Sequence, residues 1–354
     1  MAAKVSVQRT HVQTVRSVKM VGMLPLSRIF ALRETVDQEW RSPVADAVGE
    51  CWGLPAGALR FWRSSAAHVF VAPPGADSRG VLYARFAPAE DPAGYRLAEG
   101  ARFHARLAAA GASVARVVPS RINTMVERIG TPLGDMYASV LGKVDGDELD
   151  VEELDGGAAA AWGAALAAFH QAAGQPALPV QSKQTDPFAA LASARAALED
   201  PELAVAARTL STVLTASPAT PLVFGHGDFE LDNLRWTDGW PACFDLDESG
   251  TIPAAADVAS AVRDLLGPRP GSPKHPELLT AFLQGYNRIS GQTIEPQELV
   301  LPRAAFAAQQ LLQATEVLDI SSPSVAWLHE LEGSLRTHYQ IQHDLLLMTA
   351  DVLV

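Results

Sequence analysis

The sequence predicts an α+β fold of two lobes, a small N-terminal lobe built on a β-sheet with one key helix and a larger, mainly helical C-terminal lobe. The chain has 354 residues, which is long enough for two hydrophobic cores. Runs typical of β-strands fall at residues 60–71 and 81–86. Later apolar residues recur at helical spacing between Pro- and Gly-containing breaks, over 254–266, 276–289, 297–317 and 323–347.

The composition limits the classes of partner. A net charge of −12 argues against nucleic acid, because phosphate binding requires concentrated Lys and Arg. No apolar run is long enough to cross a bilayer, so we expect no membrane partner. The two cysteines, Cys51 and Cys243, form no disulfide framework and suit a reducing compartment, which predicts a cytoplasmic protein. The composition does not predict the oligomeric state.

The first 33 residues differ from the rest in charge. They carry six Lys and Arg residues and no acidic residue before Glu34. Targeting segments share this bias, but a continuous apolar stretch is missing and Pro25 interrupts any long helix. We therefore expect a flexible basic tail over residues 1–33, an N-terminal lobe over 34–142 and a C-terminal lobe over 143–354.

Local signals define the elements of the N-terminal lobe. Ser42 and Pro43 cap and start a short helix that ends before Gly53. The two strand-like runs are joined by the turn PPGADSRG, and a helix over 97–110 closes at Gly111. Two further strands are predicted, near 114–118 and 124–127. A helix over 158–171, with His170 near its end, opens the second lobe.

The most informative stretch runs from Phe224 to Val258. Asp238-Gly239 between two apolar runs is a strong hairpin signal. Folding the chain about this turn brings Asn233 almost opposite Asp245, and an amide oxygen beside a carboxylate suits Mg²⁺. Asp228 precedes Asn233 in the same loop, and Asp247 follows Asp245 on the same strand face.

The order His226-Gly227-Asp228, Asn233, hairpin, Asp245 resembles the aminoglycoside phosphotransferase and choline kinase family, whose members have a protein-kinase-like fold. The resemblance implies a kinase that uses ATP, or GTP, and Mg²⁺ to phosphorylate a hydroxyl of a small molecule. The acceptor would be an aminoglycoside, an amino alcohol, homoserine or a sugar. Asp228 would take the hydroxyl proton, Asn233 and Asp245 would hold Mg²⁺, and Asp247 would assist a second metal.

The same resemblance assigns roles in the N-terminal lobe, with departures. No lysine occurs between Lys19 and Lys143, so Arg85 stands where the family places its phosphate-binding lysine, and Glu99 on the following helix would pair with it. The loop before residue 69 contains no glycine, which leaves Ser64 and Ser65 as the phosphate donors. The backbone between Val140 and Gly142 would meet the adenine.

Two histidines are interpreted as structural. We expect His170 to be a hydrogen-bonded core residue and His226 to hold the backbone of its loop.

Three other functions remain open. A protein kinase is disfavoured, because only eleven residues separate Asp245 from Asp257. The substitution at Arg85 suggests a nucleotide-binding pseudokinase, and the carboxylates would also suit a metal-dependent phosphohydrolase.

Overall fold

The first part of the chain forms one six-stranded antiparallel sheet. The computed structural model describes residues 22–174, 187–217, 221–320 and 325–353. The strand order is β1-β2-β3-β6-β4, and β5 pairs with the far half of β6. The strands are β1 (Arg60–Ser64), β2 (His68–Ala72), β3 (Leu82–Pro88), β4 (Val117–Val118), β5 (Glu127–Thr131) and β6 (Gly134–Gly142). The first predicted strand is therefore a tight hairpin, β1–β2.

Three helices surround this sheet: α1 (Leu26–Glu34), α2 (Pro43–Cys51) and α3 (Pro92–Ala109). The prediction for α2 is confirmed, because the Ser42 hydroxyl accepts from the Val44 N–H at 3.2 Å and Gly53 takes the left-handed φ of 73°. Helix α3 begins five residues before its predicted start and ends beside Gly111.

The expectation of a flexible tail over residues 1–33 is wrong for its last twelve residues. Residues 22–33 lead into and form most of α1, whose Leu26, Ile29 and Leu32 are buried. Leu26 and Ile29 belong to an apolar cluster with Leu328 and Leu335 of the C-terminal helix. The reason is hydrophobic burial, which the excess of basic residues concealed. Residues 1–21 lie outside the described residues.

The rest of the chain is mainly helical, as predicted. Two short strand pairs interrupt it, β7 (Leu222–Gly225) with β10 (Gly250–Pro253), and β8 (Leu234–Thr237) with β9 (Trp240–Cys243). Helices α5 and α6 and the β7–β10 pair were not among the predicted elements. The helices are α4 (Gly156–Ala173), α5 (Pro187–Ala197), α6 (Pro201–Ala216), α7 (Ala254–Ala261), α8 (Pro276–Ser290), α9 (Val300–Val317) and α10 (Ala326–Leu353). Within the described ranges, every helix is too short or too polar to span a bilayer.

Helices α4 and α8 cross at two glycines. A Cβ on Gly163 would lie 2.0 Å from the Phe282 carbonyl oxygen, and one on Gly285 would lie 1.9 Å from that of Ala160. Trp162 and Phe282 pack edge to face beside this crossing, with ring centroids 4.9 Å apart. The crossing brings the backbones into contact and sets the spacing of the core of the second lobe.

We expect Gly285→Ala to destabilise the protein by about 1–3 kcal/mol, because the added methyl group forces two backbones apart. The matched control is Gly333→Ala in α10, where an added Cβ would meet nothing within 4 Å. Alanine there should stabilise the helix by about 0.5–1 kcal/mol. Urea unfolding of both variants measures the difference, and equal effects would contradict the proposed close contact.

Candidate active site

The predicted hairpin is present, with one correction to its register. Asp238 and Gly239 form the turn with φ of 52° and 76°. Leu234 pairs with Cys243, and the Asn233 carbonyl accepts from the Phe244 N–H at 3.1 Å. Phe244, rather than Asp245, therefore faces Asn233, since the strands are offset by one residue from the predicted alignment.

The loop before the hairpin places Asp228 against Asn233. The side-chain amide nitrogen of Asn233 donates to the carbonyl oxygen and to Oδ2 of Asp228, both at 2.9 Å. Both side chains are buried. The amide group is thereby oriented, and its oxygen remains as the part of Asn233 that can bind a cation.

Asp257, at the start of α7, holds the backbone of this loop. Its carboxylate accepts from the N–H groups of His226 at 2.9 Å and Gly227 at 2.7 Å, and from Nε2 of His170 at 2.7 Å. Burial by itself raises the pKa of Asp257, but the bonds from His170 and the loop outweigh burial and lower the pKa below its ordinary value. Asp257 therefore stays a carboxylate with three donors.

Both histidines have the structural roles expected of them. His170 is buried between Asp257 and Tyr286, whose hydroxyl lies 3.0 Å from Nδ1. Nδ1 of His226 accepts from the Asp228 N–H at 3.3 Å. The α4–α8 crossing supports this arrangement, because His170 and Tyr286 come from those two helices.

Residues on one face of α7 and in the turn after it contact the loop that carries Asp228. Ser260 donates to the Gly227 carbonyl at 2.8 Å, and Nη1 of Arg263 lies 3.5 Å from Oδ1 of Asp228. Arg263 also forms an ion pair with Glu230. Sequence reasoning missed these residues, although Ser260 and Arg263 follow Asp257 at intervals of three, which is the spacing of one helical face.

Arg85 reaches across from β3 to the segment after the hairpin. Its guanidinium donates to Oδ1 and Oδ2 of Asp247 at 3.1 and 2.7 Å, and to Oδ1 of Asp245 at 2.7 Å. Burial by itself lowers the pKa of Arg85, but the two carboxylates outweigh burial and raise the pKa above its ordinary value. Arg85 thus does lie in the cleft, as the sequence predicted.

The predicted partner of Arg85 is wrong. The Glu99 side chain is 51% exposed and pairs with Arg102 on its own helix. The reason is the rotation of α3, because a Cβ on Gly100 would lie 2.6 Å from the Leu246 carbonyl oxygen. Gly100 therefore faces the segment that contains Leu246. Glu99 is one residue earlier, so its side chain is turned about 100° away, toward solvent.

In the β1–β2 turn, the Ser64 hydroxyl and the Ser65 backbone have protein partners. The Ser64 hydroxyl bonds to Nδ1 of buried His68 at 2.9 Å. The Ser65 N–H donates to the Ala67 carbonyl, and the Ser65 carbonyl accepts from Leu24 at 2.9 Å. The turn is therefore packed against the segment that precedes α1, and only the Ser65 hydroxyl keeps a place in the phosphate-binding hypothesis.

The predicted adenine contact falls inside the sheet. Val140 is fully buried in β6 between Ala84 of β3 and Val118 of β4. The Gly142 N–H already donates to the Arg116 carbonyl at 2.9 Å. The strand runs to Gly142, so the connection between the lobes begins only after that residue.

The donor atoms fit a hard divalent cation. Among the described ranges no group of three or more His, Cys, Asp or Glu side chains is arranged to hold a metal ion. A cation would thus depend on the Asn233 amide oxygen, on Asp245 and on oxygens of a bound nucleotide, which is the ligand type that Mg²⁺ prefers. Both oxygens of Asp247 already accept from Arg85.

Comparison with known proteins agrees with this geometry. The model of the phosphotransferase enzyme family (APH) matches residues 75–330, and a search of curated sequences finds no match. An amicoumacin kinase solved with AMP-PNP, Ca²⁺ and amicoumacin is 17% identical, with a TM-score of 0.60 over 85% of this chain and 91% of that one. A microcompartment-associated aminopropanol kinase is 15% identical, with a TM-score of 0.61 over 88% and 97%. A choline/ethanolamine kinase family protein from Mesorhizobium loti is 17% identical, with a TM-score of 0.52 over 86% and 99%.

The fold and the site thus define a small-molecule kinase with a kinase-like α+β fold. The chain belongs to the APH phosphotransferase family, whose members use ATP with a divalent metal. The predicted resemblance to the aminoglycoside phosphotransferase family is confirmed. The predicted pair of Arg85 with Glu99 is wrong.

We expect Asp257→Asn to destabilise the protein by about 3 kcal/mol or more. An amide in this position presents one NH₂ group where the loop and His170 supply only donors, so at least one buried donor loses its acceptor. Chemical denaturation measures the loss. Wild-type stability in this variant would contradict the role given to Asp257.

We also expect stability to fall as the pH drops from about 6.5, because His68 is buried and burial lowers its pKa to about 3 in the folded state. The unfolded chain binds a proton near the ordinary value of 6.5 while the folded chain does not. His68→Gln should therefore reduce the pH slope of the free energy of unfolding by up to about 1.4 kcal/mol per pH unit. Parallel pH curves for variant and wild type would contradict this.

Proposed function

We propose that this chain transfers the γ-phosphoryl group of ATP, with Mg²⁺, to a hydroxyl group of a small molecule. One observation carries the proposal. Asp228 and Asn233 form a buried, hydrogen-bonded pair beside Asp245, and the guanidinium of Arg85, from the other lobe, donates a hydrogen bond to Asp245. The family match supports it, as does the binding of AMP-PNP and Ca²⁺ by the amicoumacin kinase.

Asp228 is the proposed general base. As the new P–O bond forms, its carboxylate takes the proton of the acceptor hydroxyl. Asn233 orients this carboxylate through Oδ2, and Arg263 lies beside Oδ1. Asp228 therefore has a set direction before the acceptor binds, and most of the rate gain comes from positioning and from the surrounding charges.

The nucleotide is proposed to lie under the sheet. Arg85 supplies positive charge near the phosphates, the Ser65 hydroxyl is a donor at their outer edge, and the adenine lies at the connection that follows Gly142. Asn233 and Asp245 would hold Mg²⁺, which when bound neutralises charge on the β- and γ-phosphates.

We propose that the acceptor binds beside α9 and α10, where polar side chains lie near Arg263. Burial, followed by the charge of Arg263, lowers the pKa of His338 to about 4, so this imidazole is neutral at pH 7. It is bonded to Gln310 at 2.6 Å and to Gln342 at 3.1 Å. Neutral hydrogen-bonding groups suit a polar acceptor, and we retain aminoglycosides, amino alcohols, homoserine and sugars as its candidate classes.

A protein substrate is disfavoured by the segment after the hairpin. Residues 246–253 include β10, which pairs with β7, and α7 follows at once. This leaves no long activation segment to bind a peptide. The pseudokinase alternative, which the arginine at position 85 suggested, is also favoured by the hydrogen bonds of Arg85 to Asp245 and Asp247.

The proposal is tested by measuring consumption of ATP and of GTP against the four acceptor classes, with and without Mg²⁺. Turnover that requires an acceptor supports it. Nucleotide binding without turnover of any acceptor supports the pseudokinase, and phosphate release without an acceptor supports a phosphohydrolase.

We expect Asp228→Asn to reduce kcat by about 100-fold or more, because the amide cannot take the hydroxyl proton. Binding of Mg²⁺–ATP should be retained, since Asp228 is not placed on the metal. The control is Asp232→Asn, an exposed residue of the same loop, which should keep wild-type kcat. Calorimetry and a coupled assay measure both quantities, and loss of nucleotide binding in the Asp228 variant would contradict the assigned role.

A further inference from the structure

Arg85 makes different contacts with Asp245 and Asp247, and this difference indicates that the two aspartates have different roles. Arg85 is 7% exposed, and the two carboxylates are 4% and 6% exposed. The guanidinium makes two hydrogen bonds to Asp247, one to each oxygen, and one hydrogen bond to Asp245. A two-pronged contact fixes both the position and the plane of a guanidinium, whereas a single contact fixes neither.

Asp245 has a second oxygen on a different side. Its Oδ2 lies 3.9 Å from Nη2 of Arg63, a half-exposed residue of β1. Its backbone has a left-handed φ of 67°, a conformation that non-glycine residues adopt rarely and often at functional sites. Asp245 therefore faces two arginines, Arg85 and Arg63, whereas each oxygen of Asp247 accepts a hydrogen bond from Arg85.

The surroundings explain why Asp247 takes this position. Leu246, between the two aspartates, contacts α3 at Gly100 through its carbonyl oxygen. The close approach fixes the segment 245–247 against α3, where its two aspartates meet Arg85 of β3. Since Glu99 is turned to solvent and paired with Arg102, the carboxylate next to Arg85 comes from this segment and not from α3.

We propose that Asp247 is the positioning residue for Arg85 and not a metal ligand, so that the nucleotide site takes a single divalent cation, held by Asn233 and Asp245. This inference rests on the proposed function for its cation part. A second cation bound to Asp247 would displace both hydrogen bonds of a buried guanidinium and place two like charges side by side.

The first test is a double-mutant cycle in EDTA, without nucleotide, on Arg85→Ala and Asp247→Ala. Each single variant should lower the melting temperature by more than about 5 °C, and the double variant should lower it by much less than the sum. The matched control cycle uses Glu99→Ala and Arg102→Ala, an exposed pair that should show almost no coupling. Additive effects in the first cycle would overturn the assignment. If an alanine variant does not fold, Arg85→Lys with Asp247→Asn decides the same question.

The second test measures AMP-PNP affinity by calorimetry. Arg85→Ala and Asp247→Asn should each weaken it by about tenfold, and the combined variant should be no weaker than either, because both changes remove the same positioned guanidinium. A residue with only a structural role would leave affinity unchanged in the folded variants. Additive losses, or unchanged affinity, would overturn the positioning role.

The third test counts Mn²⁺ bound with AMP-PNP by electron paramagnetic resonance. We expect one ion per chain in wild type and in Asp247→Asn, and none in Asp245→Asn. Two ions in wild type, or loss of the ion in Asp247→Asn, would overturn the single-cation assignment. Failure of wild type to bind any nucleotide would overturn that assignment together with the proposed function, whereas coupling in EDTA decides the Arg85–Asp247 pair independently.

Discussion

The carboxylate of Asp257 is the contact on which the geometry of the site depends. It is completely buried, and it meets two backbone N–H groups of the loop that carries Asp228 and the ring of His170. A buried carboxylate without such donors would cost several kcal/mol, so loop, helix and carboxylate require one another. His170 is in turn held by Tyr286, and the α4–α8 crossing at two glycines sets the distance between them. The helical core of the second lobe thereby fixes the direction of Asp228, although none of these groups reaches the reacting atoms.

Among the contacts between the lobes, two differ clearly in physical character. In the first, apolar residues of α1 and α10 share one cluster, and its strength depends on buried area. Inside the cleft, Arg85 joins the sheet to Asp245 and Asp247, and this contact depends on charge and direction. Under the proposed function, a nucleotide would meet the second contact and not the first, because only the second includes Arg85 and Asp245. The apolar cluster can therefore hold the lobes together while the charged groups exchange partners.

Much of the site was predictable because its signals are local. The Asp238-Gly239 turn requires a hairpin, and the hairpin brings the neighbourhoods of Asn233 and Asp245 together within one residue of the predicted register. Arg85 was located by the family resemblance, which expects a phosphate-binding lysine at this position of the strand. Glu99 was misassigned because its stripe is one of several that the spacing on α3 allows. Helix α1 was missed because the basic residues around it suggested a flexible tail. Its buried face becomes evident only from its packing against α10.

By itself the sequence determined the hairpin and most of the other elements, and its resemblance to a known family pointed to Asp228, Asn233 and Asp245 as candidate site residues. Turn propensity and periodicity act over a few residues, and that range is enough to specify these elements. Only the tertiary structure decided which carboxylate holds Arg85. That choice follows from the rotation of α3, which a contact between Gly100 and a carbonyl 146 residues further along the chain determines. Contacts of that separation leave no periodic trace in the sequence, since they depend on the packing of two surfaces and not on the spacing within either.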